Sequence, residues 1–204
     1  MGVGGGGGGI SLYLICDRIC EAYLFFKDKI PTFLLDYNKY SGEVFEIRAK
    51  EFLDANNIDY LFLTCDRILH YALLESYCKD KKAFNLHPAL LPKYVGMRAV
   101  ERCYESSDVL YGATIHYVTK EVDLGPRIAR LVLKRDFNDS LKIFTHRLFV
   151  NQCVFLLDFM TKVISGFDFK VLSDKISPKI TPSLIISKEK LAFFNLYDKQ
   201  YLQI

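Results

Sequence analysis

Three polar residues stand out because their side chains could together carry out acyl-transfer chemistry: Asn85, His87 and Asp123. The first two lie in the segment FNLHPALLPKY (residues 84–94), and Asp123 follows in the segment EVDLGP (residues 121–126). An amide can hold an acyl carbonyl and stabilise its oxyanion, and an imidazole with a carboxylate can move a proton. We therefore take these three residues as candidate catalytic groups.

The local sequence predicts that Asn85 and His87 are presented from a stiff strand end. Residues two apart on a strand project from the same face, so both side chains are expected on one side of the sheet. Pro88 stops regular structure and biases His87 to an extended conformation. The alternating stretch at 113–118 predicts a further strand, which leads into the turn that carries Asp123.

Apolar runs that alternate with amphipathic stretches predict an α/β fold. Strands are expected at residues 10–16, 32–35, 58–64, around Asn85, 113–118 and 127–133, and helices at 21–28, 42–56 (with Ser41 as N-cap), 69–77, 99–105 and 140–165. This alternation is typical of a mostly parallel sheet with helices on both faces, where ligands bind at the carboxyl ends of strands. Asn85 and His87 stand at one such end.

Composition divides the chain into three parts. Residues 1–9 contain six consecutive glycines and are predicted to be disordered, because ordering glycine costs much backbone entropy. Residues 10–166 form the predicted domain. In residues 167–204, two apolar stretches at 184–187 and 191–194 flank a charged turn, which predicts a C-terminal β hairpin that covers a sheet edge or seals an oligomer contact.

The bulk composition argues against several classes of function. The chain has 204 residues, a net charge of +3 and no basic run, so a nucleic-acid role has little support. No apolar run reaches the length of a membrane span, and no secretory signal is recognisable. The six cysteines are scattered without metal-ligand spacing. We expect a cytoplasmic protein with reduced thiols, and with no metal, nucleic-acid or membrane partner.

The chain resembles the formyltransferases that use 10-formyltetrahydrofolate. The motif N-x-H-P-x-L-L-P matches at residues 85–92, the motif D-x-G-P matches at 123–126, and Gly96 also fits. The interval of 38 residues between Asn85 and Asp123 is the one expected for glycinamide ribonucleotide formyltransferases. The resemblance covers about residues 10–166, and it implies a Rossmann-like formyltransferase fold.

The resemblance also implies a role for each candidate catalytic residue. Asn85 would donate its amide N–H to the formyl oxygen, and His87 would donate a proton to the tetrahedral intermediate or polarise it. Asp123 would orient His87, raise its pKa and hold the water that relays a proton from the attacking amine. In other acyl-transfer sites, an oxyanion donor of this kind lowers the activation barrier by about 3–4 kcal/mol.

Two segments are implied to hold the pterin of 10-formyltetrahydrofolate. They are Arg67, Ile68 and Leu69, which would act through their main chain, and Lys120, Glu121 and Val122 on the other side. The acceptor would be a small-molecule amine, and the protein would be a monomer or a homodimer.

The chain departs from the family pattern in three places. The family's opening strand, phosphate-binding loop and helix are replaced by polyglycine, Gln152 stands where the family has a carboxylate, and Arg98 stands where the purine-pathway enzymes commonly have His. Several functions stay open: formyl transfer to glycinamide ribonucleotide or to a nucleotide-linked amino sugar, hydrolysis of 10-formyltetrahydrofolate, and a truncated relative without catalytic activity.

Overall fold

The structure, a computed structural model, describes residues 2–4, 11–64 and 67–172. Its strands are β1 (Gly2–Gly4), β2 (Ser11–Cys16), β3 (Thr32–Leu34), β4 (Tyr60–Leu63), β5 (Ala83–His87), β6 (Leu110–Tyr117) and β7 (Arg127–Lys134). Its α-helices are α1 (Glu21–Phe26), α2 (Gly42–Ala55), α3 (Ala99–Glu105) and α4 (Leu141–Ile164). None of the helices in these ranges is both long and apolar enough to cross a bilayer.

The strands form a single seven-stranded sheet in the order β3-β2-β1-β4-β5-β6-β7. Strands β2, β3, β4, β5 and β7 run in one direction, whereas β1 and β6 run in the opposite direction. The sheet is therefore mixed, although most of its strands share one direction. The predicted α/β architecture, with helices on both faces, is confirmed.

Successive side chains along each strand point alternately to the two faces of the sheet. Both faces carry an apolar layer, which explains why helices cover both of them. One layer packs α2 on the sheet and includes Phe45, Ala49, Leu53, Leu61 and Ala83. The other packs α4 on the opposite face and includes Phe155, Phe159, Phe62, Phe84 and Ile115. The strand β5 thus lies between two filled layers, and its end is held firmly.

Both long helices begin at a serine whose hydroxyl caps the first turn. The side chain of Ser41 accepts a hydrogen bond from the backbone N–H of Val44, and that of Ser140 accepts one from Ile143. A serine in this position satisfies one of the N–H groups that the first turn leaves unpaired. The predicted N-cap at Ser41 is confirmed.

Three of the residues 1–9, which were predicted to be disordered, form a strand. Gly2–Gly4 forms β1 between β2 and β4, with Gly2 opposite Tyr13 on one side and Leu61 on the other. Backbone hydrogen bonds on both sides can hold this short glycine-rich strand, which offsets the entropic cost of ordering glycine. Residues 1 and 5–10 and the hairpin predicted at 184–194 lie outside the described residues.

The helix predicted at residues 69–77 is present at 72–78, but it begins about three residues later than predicted and most of it is π-helical. The structure has a π-helical turn at Leu74–Cys78, preceded by a turn in which the backbone N–H groups of His70 and Tyr71 donate to the carboxylate of Glu46. Sequence periodicity could not reveal this difference, because the carboxylate comes from a separate helix.

Candidate active site

The three candidate catalytic side chains converge. The amide nitrogen of Asn85 donates to Oδ1 of Asp123 at 3.2 Å, and Nδ1 of His87 lies 3.2 Å from Oδ2 of the same carboxylate. His87 is 4% exposed and Asp123 is 9% exposed, so water screens their interaction weakly. The strand β5 supplies two of the groups, and the turn between β6 and β7 supplies the third.

The turn that carries Asp123 is shaped by its backbone. Asp123 adopts a left-handed conformation with φ of 57°, which aspartate tolerates better than most residues. Its Oδ2 accepts a hydrogen bond of 2.9 Å from the backbone N–H of Gly96. A Cβ at Gly125 would lie 1.8 Å from the carbonyl oxygen of Tyr117, so only glycine fits there. The carboxylate is therefore held by its own turn and by a second loop.

His116 is a fourth member of the site, and the sequence reasoning missed it. It lies on β6 directly opposite Asn85, and its Nε2 is 3.1 Å from the amide nitrogen of Asn85 and 3.4 Å from Oδ1 of Asp123. The signal in the sequence was weak: Thr114 and His116 are polar residues two apart in an apolar strand. Only the register between β5 and β6 places His116 beside Asn85.

The ring of His116 determines how the amide of Asn85 is oriented. Its Nδ1 lies 2.9 Å from the carbonyl oxygen of Tyr117, which can only accept, so Nδ1 carries a hydrogen. In the neutral ring, Nε2 is then an acceptor for the amide of Asn85. The two amide hydrogens of Asn85 thus point at His116 and at Asp123.

His87 is surrounded by hydrogen-bond acceptors in a buried position. Its Nε2 lies 2.9 Å from the carbonyl oxygen of Tyr94, and its Nδ1 faces Asp123. Burial lowers the pKa of His87, and the Asp123 carboxylate and the Tyr94 carbonyl, which favour the imidazolium, offset this only in part. The expected raising effect of Asp123 is therefore present, but the pKa of His87 still lies below its ordinary value.

The surroundings of Asp123 favour its ionised form. Burial opposes ionisation, but the nearby rings of His116 and His87 and the N–H of Gly96 outweigh it and hold the pKa of Asp123 below its ordinary value. An ionised Asp123 can orient the imidazole of His87 and accept a proton through a water molecule.

The segment after His87 is attached to β6 by a buried hydroxyl that the sequence reasoning did not single out. Thr114 Oγ1 donates to the carbonyl oxygen of Ala89 at 2.8 Å and accepts from the backbone N–H of Leu91 at 3.0 Å. Thr114 is fully buried. It therefore fixes the proline-bounded segment that follows the imidazole.

The first predicted pterin segment lies in the loop after β4. The guanidinium of Arg67 pairs with Asp17 at 2.9 Å and lies 3.7 Å from the ring centroid of Tyr37, so its side chain is used within the protein. Among the described residues, the peptide groups of Ile68 and Leu69 have no hydrogen-bond partner. Free peptide groups fit the predicted main-chain contact with a pterin edge.

The second predicted segment, residues 120–122, is an exposed turn between β6 and Asp123. Its local order includes a hydrogen bond of 3.1 Å from the Thr119 hydroxyl to the carbonyl oxygen of Glu121. The strands β4 and β6 flank β5, so the two predicted segments follow the strands on either side of Asn85. Across the described ranges, no group of three His, Cys, Asp or Glu side chains could hold a metal ion.

Comparison with known proteins gives one family match and many related chains. The family described as formyl transferase matches residues 12–153. A phosphoribosylglycinamide formyltransferase of Bacillus subtilis is 31% identical over 142 residues, which cover 66% of this chain and 70% of that protein. A trifunctional purine biosynthetic protein of Chironomus tentans is 29% identical over 143 residues, which are 69% of this chain but only 10% of that protein.

Solved structures show the same likeness. The crystal structure of a phosphoribosylglycinamide formyltransferase from Bacillus halodurans matches with a TM-score of 0.63 and 31% sequence identity. The match covers 68% of this chain and 72% of that one.

Proposed function

Because the chain belongs to the formyl transferase family and is therefore a transferase, we propose that it moves a formyl group from 10-formyltetrahydrofolate to the primary amine of a small molecule. The observation that supports this proposal is the hydrogen-bonded group of Asn85, His87 and Asp123. These side chains supply an oxyanion donor, a proton donor and a carboxylate within one buried cluster.

In the proposed reaction, the amine of the acceptor attacks the formyl carbon, and a C–N bond forms as the carbonyl becomes an oxyanion. The amide of Asn85 and the imidazole of His87 stabilise that oxyanion by hydrogen bonds. Asp123 accepts the amine proton through a water molecule. The oxyanion then re-forms the carbonyl, the bond between the carbon and N10 of the folate breaks, and N10 takes up the proton that Asp123 accepted, through the same water, as tetrahydrofolate leaves.

The hydrogen bonds of Asn85 set a condition on this reaction. Its two amide hydrogens point at His116 and Asp123, so the formyl oxygen has to replace one of these acceptors. The exchange costs little if the oxyanion is a stronger acceptor than the group it displaces. Binding of the substrate and formation of the oxyanion donor are therefore coupled at Asn85.

Glycinamide ribonucleotide is the acceptor that we place first. The support is the likeness to the phosphoribosylglycinamide formyltransferases of Bacillus subtilis and Bacillus halodurans. A nucleotide-linked amino sugar is the second choice. Two departures from the family pattern bear on this choice. Arg98 is exposed at the N-cap of α3, and Gln152 is half-buried on α4. Gln152 replaces the carboxylate that the family has for the substrate amine, and Arg98 replaces a histidine that is common in the purine-pathway enzymes.

The decisive experiment follows loss of the formyl group from 10-formyltetrahydrofolate with and without glycinamide ribonucleotide. Acceptor-dependent release of tetrahydrofolate supports the proposed transfer, whereas release without an acceptor indicates a hydrolase. Release in neither case, including with a nucleotide-linked amino sugar, contradicts a catalytic role. Cell fractionation and sedimentation would test the further predictions of a cytoplasmic location and of a monomer or homodimer.

A further inference from the structure

A buried carboxylate outside the catalytic cluster has an unusual set of partners. Glu46 lies on α2 and is 2% exposed. Its Oε1 accepts from the backbone N–H of His70 at 2.6 Å, and its Oε2 accepts from those of Tyr71 at 2.9 Å and Leu73 at 3.2 Å. Glu46 belongs to α2, whereas its three donors follow β4 in the chain. Glu46 therefore attaches the loop after β4 to α2.

Three N–H donors to one carboxylate make a strong and directional attachment. Hydrogen bonds to an ionised acceptor are shorter and stronger than neutral ones, and they fix where the donors lie. The neighbours Phe45 and Ala49 are buried in the layer between α2 and the sheet. Glu46 therefore projects from a rigid support, and the loop takes its position from that support.

The same loop is anchored at its other end by Arg67. The guanidinium of Arg67 is held by Asp17 and lies over the ring of Tyr37. Between the two anchors lie Ile68 and Leu69, whose peptide groups have no partner among the described residues. The protein thus holds a short stretch of main chain in place from both sides while leaving its hydrogen-bonding groups open.

We propose that Glu46 is a positioning residue for folate binding: by holding residues 70–73 it fixes the main-chain groups of Ile68 and Leu69 that contact the pterin. This inference rests on the proposed function, because it takes 10-formyltetrahydrofolate as the ligand of the loop. Glu46 does not touch the reacting atoms. Its effect is confined to the donor side of the reaction, and the acceptor amine does not depend on it.

The test compares Glu46→Gln, Glu46→Asp and the control Glu51→Gln, which removes the same charge from an exposed position on α2. In Glu46→Gln, the amide NH₂ group faces a backbone N–H, so at least one of the three bonds is lost. We expect KM for 10-formyltetrahydrofolate to rise about tenfold, from the loss of one charge-assisted hydrogen bond. In Glu46→Asp, which keeps the charge, this KM should rise less. In the control Glu51→Gln it should not change.

Two readouts separate positioning from a purely structural role. The KM for the acceptor should stay within about twofold of the wild-type value in all variants, because a charge-assisted bond lost at the loop acts on folate binding alone. Equal rises in both KM values, or a fall in kcat alone, would overturn the inference. If Glu46→Gln does not fold, the Glu46→Asp variant gives the same comparison.

A third readout distinguishes failure of the inference from failure of the proposed function. Calorimetry with tetrahydrofolate measures folate binding, and hydrogen exchange measures protection of the amides of His70, Tyr71 and Leu73. Wild-type protein that does not bind tetrahydrofolate contradicts the proposed function and, with it, the folate role of Glu46. Wild-type protein that binds, with Glu46→Gln binding equally well despite faster exchange at these amides, contradicts only the positioning role.

Discussion

His116 lies directly across the β5–β6 ladder from Asn85, and its Nε2 is 3.1 Å from the amide nitrogen of that residue. This contact joins a residue that the sequence motif contains to one that it does not. Because β6 also leads into the turn of Asp123, a single strand both orients the amide and delivers the carboxylate. The geometry of the oxyanion donor therefore depends on the pairing of β5 with β6.

Replacing His116 with Phe should lower the rate of formyl transfer about fivefold. The ring keeps much of its volume, but the acceptor for one amide hydrogen of Asn85 is lost, and a buried hydrogen bond of this kind is worth about 1 kcal/mol. Steady-state kinetics measures the effect. His116→Gln, whose side-chain oxygen can accept, should recover part of the rate; equal activity in wild type and His116→Phe would contradict the orienting role.

Replacing Asp123 with Asn should lower the rate by about a hundredfold or more, because it removes the charge that supports the general-acid histidine. The fold should be kept, since asparagine tolerates the left-handed backbone that Asp123 adopts. Single-turnover kinetics with 10-formyltetrahydrofolate measures the loss. Asp80→Asn, at an exposed position on the surface, is the matched control and should keep full activity.

The free energy of unfolding should decrease as the pH falls from 7 to 5, and His87 should account for part of the decrease. The pKa of His87 is lowered in the folded protein, so the unfolded chain binds a proton there first. The stability that comes from the neutral imidazole is complete above the unfolded pKa of about 6.5 and is lost below it. Asp123 contributes only at lower pH, since its lowered pKa acts below about 4.

Urea unfolding across this pH range tests the prediction. The control is His87→Gln, which cannot titrate, and its unfolding free energy should fall less steeply than that of the wild type. A single proton can change the slope by at most about 1.4 kcal/mol per pH unit. Parallel curves for the two proteins would show that His87 does not have a lowered pKa.

Replacing Thr114 with Val should destabilise the fold by about 2 kcal/mol. The methyl group that replaces Oγ1 leaves a buried carbonyl at Ala89 and a buried N–H at Leu91 without their partner. Urea denaturation measures the change. Thr161→Val removes a hydroxyl that bonds the carbonyl of Leu157 on the exposed face of α4, and it should cost far less. Similar losses in both variants would refute the role of Thr114.

The sequence predicted the parts of the fold that depend on local pattern. Periodicity gave α2, α3 and α4 to within about two residues at their ends, and Ser41 marked the start of α2. The convergence of Asn85, His87 and Asp123 was expected from the resemblance, and the structure brings the three side chains together. Their catalytic roles stay predictions until activity is measured.

The features that the sequence did not predict depend on contacts between distant residues. The register that brings His116 to Asn85 and the carboxylate of Glu46 that replaces a helical turn both join separate elements. Likewise, Gly2–Gly4 becomes a strand because two neighbouring strands offer it backbone partners. Local sequence preferences do not determine which distant residues will meet, so these contacts could not be predicted from the sequence pattern.

The absence of a side chain at Gly125 limits how this protein can change. Since the carbonyl of Tyr117 would lie 1.8 Å from any Cβ there, every substitution has to push the Asp123 turn away from the strand that ends at Tyr117. The distances from Asp123 to both imidazoles would lengthen together. Libraries that seek a new acceptor can therefore vary the exposed neighbour Leu124, but they should leave Gly125 unchanged.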